Sequence, residues 1–221
     1  MSNLIVSLLL MAVIAYLWGS IPTGYWMGKL LRGKDYDVRN YGSHKIGATN
    51  VLRTLGKGPA AFVFIFDLSK GVGPALLATF VPALHGSGWG VLVAGLCALL
   101  GHCYPVFIGF KGGRGVLTGA GALLVITPLI FLIAGIITVA TILIWRYVSL
   151  GSIVGSAVCI VCAIIFKFTG LISLPQMLFA IIGPALIIIF HRDNIERLIA
   201  GKERKLGEKV SVEAISSDTT L

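Results

Sequence analysis

The residues of this chain that can do chemistry fall in a few short stretches rich in glycine and cations. RNYGSHKIGATNVLRTLGKGP, residues 39 to 59, spaces Lys45, Arg53 and Lys57 among Gly42, Gly47, Gly56 and Gly58 and adds the neutral donors Ser43, Thr49 and Asn50. Cations and neutral donors on a glycine-rich backbone suit a phosphate, whose oxygens accept several hydrogen bonds at once. Thr49 or Asn50 fits a helix cap equally well. KGGRGVLTG, residues 111 to 119, sets Lys111 and Arg114 around Gly112 and Gly113 ahead of an apolar run. A P-loop would need G-x-x-x-x-G-K-[ST] after a strand, and neither is present. What remains is a glycine turn whose amides, leading into a helix N-terminus, can hold an anion.

Three more clusters extend this pattern. Asp67 and Lys70 in FIFDLSKG stand at i, i+3 on one helix face, about 12 to 17 Å along a helix that starts near residue 59. Charges at that depth are costly alone, so the two form a structural pair or support a wet pocket. His102 closes the apolar run before the glycine turn, and WRYVSLGS, 145 to 152, brings Arg146 and Ser149 to a span boundary. HRDNIERLIAGKERK, 191 to 205, places His191, Arg192, Asp193 and Asn194 in a row. Asp193 or Asn194 can cap an interfacial helix whose Ile195, Leu198 and Ile199 face lipid. His191 is either structural or hydrogen-bonded to a substrate hydroxyl.

The elements that position these groups are read from hydropathy. Of 221 residues, 57% are hydrophobic and 12% charged, and the mean hydropathy is +0.94, which puts the chain among integral membrane proteins. Seven apolar runs, at about 3 to 22, 59 to 82, 89 to 108, 114 to 127, 129 to 146, 150 to 167 and 174 to 190, predict an all-α polytopic fold of seven transmembrane helices. The run at 114 to 127 is short and must tilt, thin the bilayer or borrow neighbouring residues. The first run reads as a retained span, since it lacks a basic lead and a small-x-small cleavage site. Lys and Arg crowd the first, third and fifth connections and the tail, whereas the alternate connections carry only Lys167. By the positive-inside rule the N-terminus lies outside and the C-terminus in the cytoplasm. The net charge of +9 therefore requires no nucleic-acid partner, and a basic cytoplasmic face attracts anionic lipids or a phosphorylated substrate. Residues 1 to 205 read as a single domain and 206 to 221 as a polar, disordered tail. Cys159 and Cys162 form a C-x-x-C with no further ligand nearby, so they read as packed thiols, and no metal site is expected.

GSIPTGYWMGKL at 19 to 30, GSHKIGATNVLRTLGK at 42 to 57, FDLSKG at 66 to 71, GHCYPVFIGFKGGRGV at 101 to 116, RYVSL at 146 to 150 and HRDNIERLIAGKE at 191 to 203 together resemble the bacterial acyl-phosphate:glycerol-3-phosphate acyltransferase family. The resemblance implies a seven-span enzyme of the bacterial inner (cell) membrane with its active face in the cytoplasm. Such an enzyme moves a fatty acyl group from acyl phosphate to the sn-1 hydroxyl of glycerol 3-phosphate, giving lysophosphatidic acid without a cofactor. Carried over by motif, the site comprises Ser43, Asn50, Arg53, the Gly112-Gly113-Arg114-Gly115 turn with Lys111, Ser149, His191 and Asn194, with Asp67, Lys70 and His102 in support. His191, Asn194 and Ser43 would act at the reacting groups. Neither a Ser-His-Asp arrangement nor the H-x-x-x-x-D motif of other glycerolipid acyltransferases is visible, so no acyl-enzyme is expected.

The chain departs from the family pattern at several positions. His44 and Lys45 stand where the family has Gly and Asn, Arg114 stands for Lys, Leu117 for Ala, and Asp193 for Glu. His44 puts a Cβ where the turn wants glycine. The alternative function is a transporter of an anionic or phosphorylated solute, since intramembrane Asp67 and Lys70 with midchain glycines occur there too. Against it, the polar groups gather on one face and suggest no through-path.

Overall fold

The computed structural model describes residues 2 to 208. Its helices are α1 (Ser2–Gly19), α2 (Thr23–Arg32), α3 (Ala48–Thr54), α4 (Lys57–Phe80), α5 (Pro82–His85), α6 (Gly90–Cys103), α7 (Val116–Ile126), α8 (Pro128–Trp145), α9 (Val148–Phe168), α10 (Leu174–Phe190) and α11 (Arg192–Ile199). An apolar helix matches each of the seven predicted runs. Among the described residues, five helical segments are long and apolar enough to cross a membrane, and a sixth is added if α10 and α11, bent 57° apart, count as one. The short run becomes α7, whose 11 residues rise about 16 Å, roughly half a bilayer's hydrocarbon core. Residues 209 to 221, most of the expected tail, lie outside the described residues.

Helix ends follow local chemistry. Pro128 opens α8, and Arg146 in a left-handed conformation closes it. A capping box of Ser173 and Gln176 starts α10, satisfying amides that lipid cannot. Large aliphatic and aromatic side chains such as Leu143, Ile144 and Phe168 are exposed on the outer helix faces, as lipid-facing residues are. The interior is built from small residues and a few large ones, including Met11, Ala75, Ala94, Leu123, Ile130 and Phe179.

Close helix crossings bring the polar groups together. A Cβ on Gly71 of α4 would overlap the carbonyl oxygen of Thr118 on α7, and one on Gly121 would overlap that of Leu68. Two glycines thus let these backbones touch, and Thr118 Oγ1 donates to the Asp67 carbonyl at 3.0 Å. A smaller apolar cluster of Tyr36, Val38, Ile46, Val51, Ala60 and Val63 lies beneath the first polar loop and seats α3 against α4.

Candidate active site

One cavity of about 530 Å³ opens between α3, α4, α6, α7, α8, α9, α10 and α11, within the size range of small-molecule sites. Its polar head is lined by Ser43, Lys45, Arg53, Arg114, Ser149, His191, Asn194 and Glu203. Below the head it continues between α7, α8, α9 and α10 along Leu123, Phe131, Ala134, Ile142, Gly155 and Cys159. From Ser149 to Cys159 the α9 wall rises about 15 Å, the depth of one leaflet's hydrocarbon.

The first wall of the head is the loop before α3. Asn50, 1% exposed, accepts from the Ser43 amide through Oδ1 at 2.8 Å. Its Nδ2 donates to the carbonyls of Val38, Tyr41 and Lys45 at 3.0, 3.1 and 2.8 Å. The amide donors of Asn50 are spent on the loop, so it lines the cavity and shapes the head through the backbone it holds. Nor does Thr49 or Asn50 cap α3, whose N-cap is Gly47 with no side-chain bond. His44 stands at φ 56°, the left-handed conformation that prefers glycine. Its Nδ1 lies 2.9 Å from the Arg39 carbonyl and, since a carbonyl only accepts, donates to it.

The glycine turn works differently from the sequence expectation. The amide of Gly112 donates to the Cys103 carbonyl and that of Gly113 to the His102 carbonyl, both at 3.1 Å. Neither amide is available to an anion: these two glycines tie the turn to the end of α6. A Cβ on Gly113 would overlap His102 Nε2, so glycine is required for the turn to lie over the imidazole. Lys111 is exposed and does not line the cavity, which removes it from the expected set, and Gly112 lies off the lining as well. The amides left open are instead those of the first turn of α7, where helix geometry leaves them without intrahelical acceptors and where Gly115, Val116 and Leu117 line the cavity.

The opposite wall comes from α9, α10 and α11. His191, 3% exposed, directs Nδ1 at the Ile187 carbonyl 2.7 Å away. Nδ1 therefore carries the proton in the neutral ring, leaving the Nε2 lone pair as an acceptor. Burial, reinforced by the nearby Arg114, pushes its pKa down to about 4, so the ring is neutral at physiological pH. Asn194 is buried inside α11 rather than capping it, because His191 occupies the N-cap. Glu203 joins this wall: it accepts from Ser149 Oγ at 3.0 Å, Asn194 Nδ2 at 2.8 Å and Arg197 Nε at 2.8 Å. Sequence reasoning gave Glu203 no role, although it closes the stretch HRDNIERLIAGKE and stands as one acid inside the basic run KERK.

Three cations then face the head. Burial, followed by the neighbouring Arg204, lowers the Arg53 pKa; burial, followed by Arg197, brings Arg114 down to about 10. Burial and then Arg114 lower that of Lys45, which the loop's residue types offer to a phosphate although the motif carry-over does not include it. Arg53 Nε, Arg114 Nε and Asn194 Oδ1 are buried and have no hydrogen-bond partner among the described residues. Deeper, Asp67 accepts from Thr23 Oγ1 at 2.7 Å and Lys70 Nζ at 2.5 Å. His102 Nδ1 lies 3.8 Å from the same carboxylate oxygen. Asp67 and His102 line the cavity, whereas Lys70 does not, so the pair both binds helices and borders the pocket.

The family model described as glycerol-3-phosphate acyltransferase matches residues 9–201. A relative from Moorella thermoacetica, glycerol-3-phosphate acyltransferase 2, is 45% identical over 201 residues, covering 91% of this chain and 98% of the relative. One from Dehalococcoides mccartyi, glycerol-3-phosphate acyltransferase 3, is 40% identical over 215 residues, covering 93% and 99%. The fold is similar to the crystal structure of PlsY, an integral membrane glycerol 3-phosphate acyltransferase, in its glycerol 3-phosphate form. The TM-score is 0.80 at 40% identity, with 91% of this chain and 96% of that one covered. The lysophosphatidic acid form of PlsY aligns at a TM-score of 0.76 and 38% identity, with 91% and 96% covered.

Proposed function

Because the chain belongs to the glycerol-3-phosphate acyltransferase family, we propose that its cavity joins a long-chain acyl phosphate to the sn-1 hydroxyl of glycerol 3-phosphate, giving lysophosphatidic acid and inorganic phosphate. The chain is an integral membrane acyltransferase of phospholipid synthesis. The observation that carries the choice of donor is the continuity of a cation-lined head with an apolar channel about one leaflet deep. An acyl phosphate has that shape: a fatty chain with an anionic end.

In this reading the chain lies between α7, α8, α9 and α10, and the acyl carbon stops level with Ser149. Arg53, Arg114, Ser43 and the first-turn amides of α7 hold the phosphates by charge-assisted hydrogen bonds. His191 Nε2 and Asn194 Oδ1, both acceptors, orient the glycerol hydroxyls. The sn-1 oxygen attacks the acyl carbon, the bond from that carbon to the phosphate oxygen breaks, and its electron pair leaves with the phosphate. The hydroxyl proton goes to that phosphate, whose second ionisation near about pH 6 makes it a better base than an imidazole at about 4. Asp67, Lys70 and His102 hold α4, α6 and α7 in register beneath the head and do not touch the reacting atoms.

The same reading has the chain as a single domain crossing the bacterial inner membrane seven times, N-terminus outside, with the site in the cytoplasm. It is supported by the gathering of Lys45, Arg53, Arg114 and Arg146 at the same helix ends as the cavity mouth. Purified protein given palmitoyl phosphate and glycerol 3-phosphate should form lysophosphatidic acid and phosphate in equal amounts, with no acylated protein by mass spectrometry. A trapped acyl-enzyme would overturn the mechanism, and no product from acyl phosphates of several lengths would overturn the choice of donor.

A further inference from the structure

Lys45 occupies a position that the proposed chemistry above does not use. Its backbone is fixed by the bond from Asn50 Nδ2 to its carbonyl, and its half-buried side chain lines the cavity head. Among the described residues none accepts a hydrogen bond from its ammonium. The charges that act on it are Arg114, Asp193 and Arg192, together with the Cys103 thiol; Asp193 is itself paired to Arg192 at 3.4 Å. Arg53, by contrast, is surrounded by Arg204, Glu203, Glu208 and Arg197, and Arg114 feels both groups. The three cations therefore lie in the order Arg53, Arg114, Lys45 across the head.

The α9 wall of the apolar channel joins this row on the side away from Lys45. Ser149, which heads the α9 wall of the channel, is bonded to Glu203, and Glu203 belongs to the surroundings of Arg53 and Arg114 but not to those of Lys45. A donor whose chain fills the channel thus brings its phosphate to the Arg53 end. A second phosphate in the same head must be held apart, because two anions a few ångströms from each other repel far more strongly in a protein interior than in water. The Lys45 end meets that need. It offers a compact ammonium with three rotatable donors next to the unpartnered Nε of Arg114, and two half-buried cations side by side favour an anion between them.

We propose that Lys45 and Arg114 form a separate seat for the phosphate of glycerol 3-phosphate, and that Lys45 sets affinity for this acceptor and not for the acyl donor. The inference rests on the acyl-phosphate reading above. Glycerol 3-phosphate has no apolar portion to enter the channel, so its phosphate takes the seat away from it. The three-carbon backbone then spans back toward His191 and Asn194.

The full-length protein with Lys45→Met, Lys45→Gln and Lys45→Arg, purified in detergent, tests this with both substrates varied. The KM for glycerol 3-phosphate should rise about tenfold or more in the two neutral variants, the loss of one charge-assisted bond, and be largely restored in Lys45→Arg. The KM for palmitoyl phosphate should stay within about twofold. Calorimetric binding of glycerol 3-phosphate without donor should weaken by the same factor, at an unchanged thermal midpoint. An unchanged acceptor KM, or an equal rise in both KM values, overturns the proposal while the wild type still makes lysophosphatidic acid. A wild type that transfers no acyl group from acyl phosphate would instead sink the reading on which it rests.

Discussion

At the scale of single residues, His44 on the exposed side of the first loop and His191 in the cavity wall show how two imidazoles are set to different tasks by a single carbonyl contact each. His44 accepts the cost of a left-handed backbone, about 1 kcal/mol or somewhat more, and recovers a similar amount from its bond to the Arg39 carbonyl. These offset, which is how the loop tolerates a side chain where a turn of this shape prefers glycine. His44→Ala keeps the strain and loses the bond, so it should destabilise by about 1 kcal/mol, whereas His44→Gly should stay near wild type. Thermal unfolding in detergent checks the ranking. His191 has its pKa depressed to about 4 from an ordinary 6.5. Between those values the unfolded chain binds more protons than the folded one, so stability should be full above about pH 6.5 and fall as pH drops toward 4. His191→Gln should remove part of that fall in midpoint scans across pH 4 to 7; an identical slope would mean the ring is not held neutral.

At the scale of elements, the glycine turn and the segment after α11 are the parts that decide the geometry of the head. Gly112 and Gly113 are clamped to the last carbonyls of α6, so the turn is a joint between α6 and α7 that fixes where Arg114 points. Gly113→Ala would push a methyl into His102 and should lower kcat/KM by about tenfold or more, since misplacing a positioning group by about 1 Å can cost about a hundredfold. Steady-state kinetics on folded variant protein would register it, and wild-type rates would show that the turn can shift without harm. The segment 202 to 208 crosses the mouth. Arg204 Nη1 donates to the Gly42 carbonyl at 2.8 Å, and the Leu206 amide donates to the Arg146 carbonyl at 2.6 Å. The disordered tail expected from 206 therefore begins with a residue that is tied to α8. Glu203→Gln keeps an acceptor for Ser149 and Asn194 but cannot accept from Arg197 on the same terms. It should lower stability by about 1 to 3 kcal/mol, read from denaturation midpoints.

At the scale of the whole molecule, the cavity is a polar head on an apolar channel enclosed by helices from both halves of the chain, and its depth sets which donors fit. Cys159 lies about 15 Å along α9 from Ser149 and lines the channel. Cys159→Trp should block its lower part and shift preference from palmitoyl toward decanoyl phosphate by about tenfold in relative kcat/KM; an unchanged chain-length profile would show that the acyl chain lies elsewhere. Much of this architecture was legible in the sequence. Long apolar runs are a local property, since each backbone must satisfy itself in lipid, and the helices fall where those runs predict. The motif stretches likewise led to Ser43, Arg53, Arg114, Ser149, His191 and Asn194, all of which line one cavity. What the sequence could not decide was how each group is used, because that depends on partners distant in the chain. Asn50 spends its amide donors on Val38, Tyr41 and Lys45, the glycine amides go to α6, Lys111 turns away, and Lys45 and Glu203 turn in. A residue's type determines what bonds it is able to make, but only the packing of helices against one another determines which of those bonds are already made and which remain for a substrate.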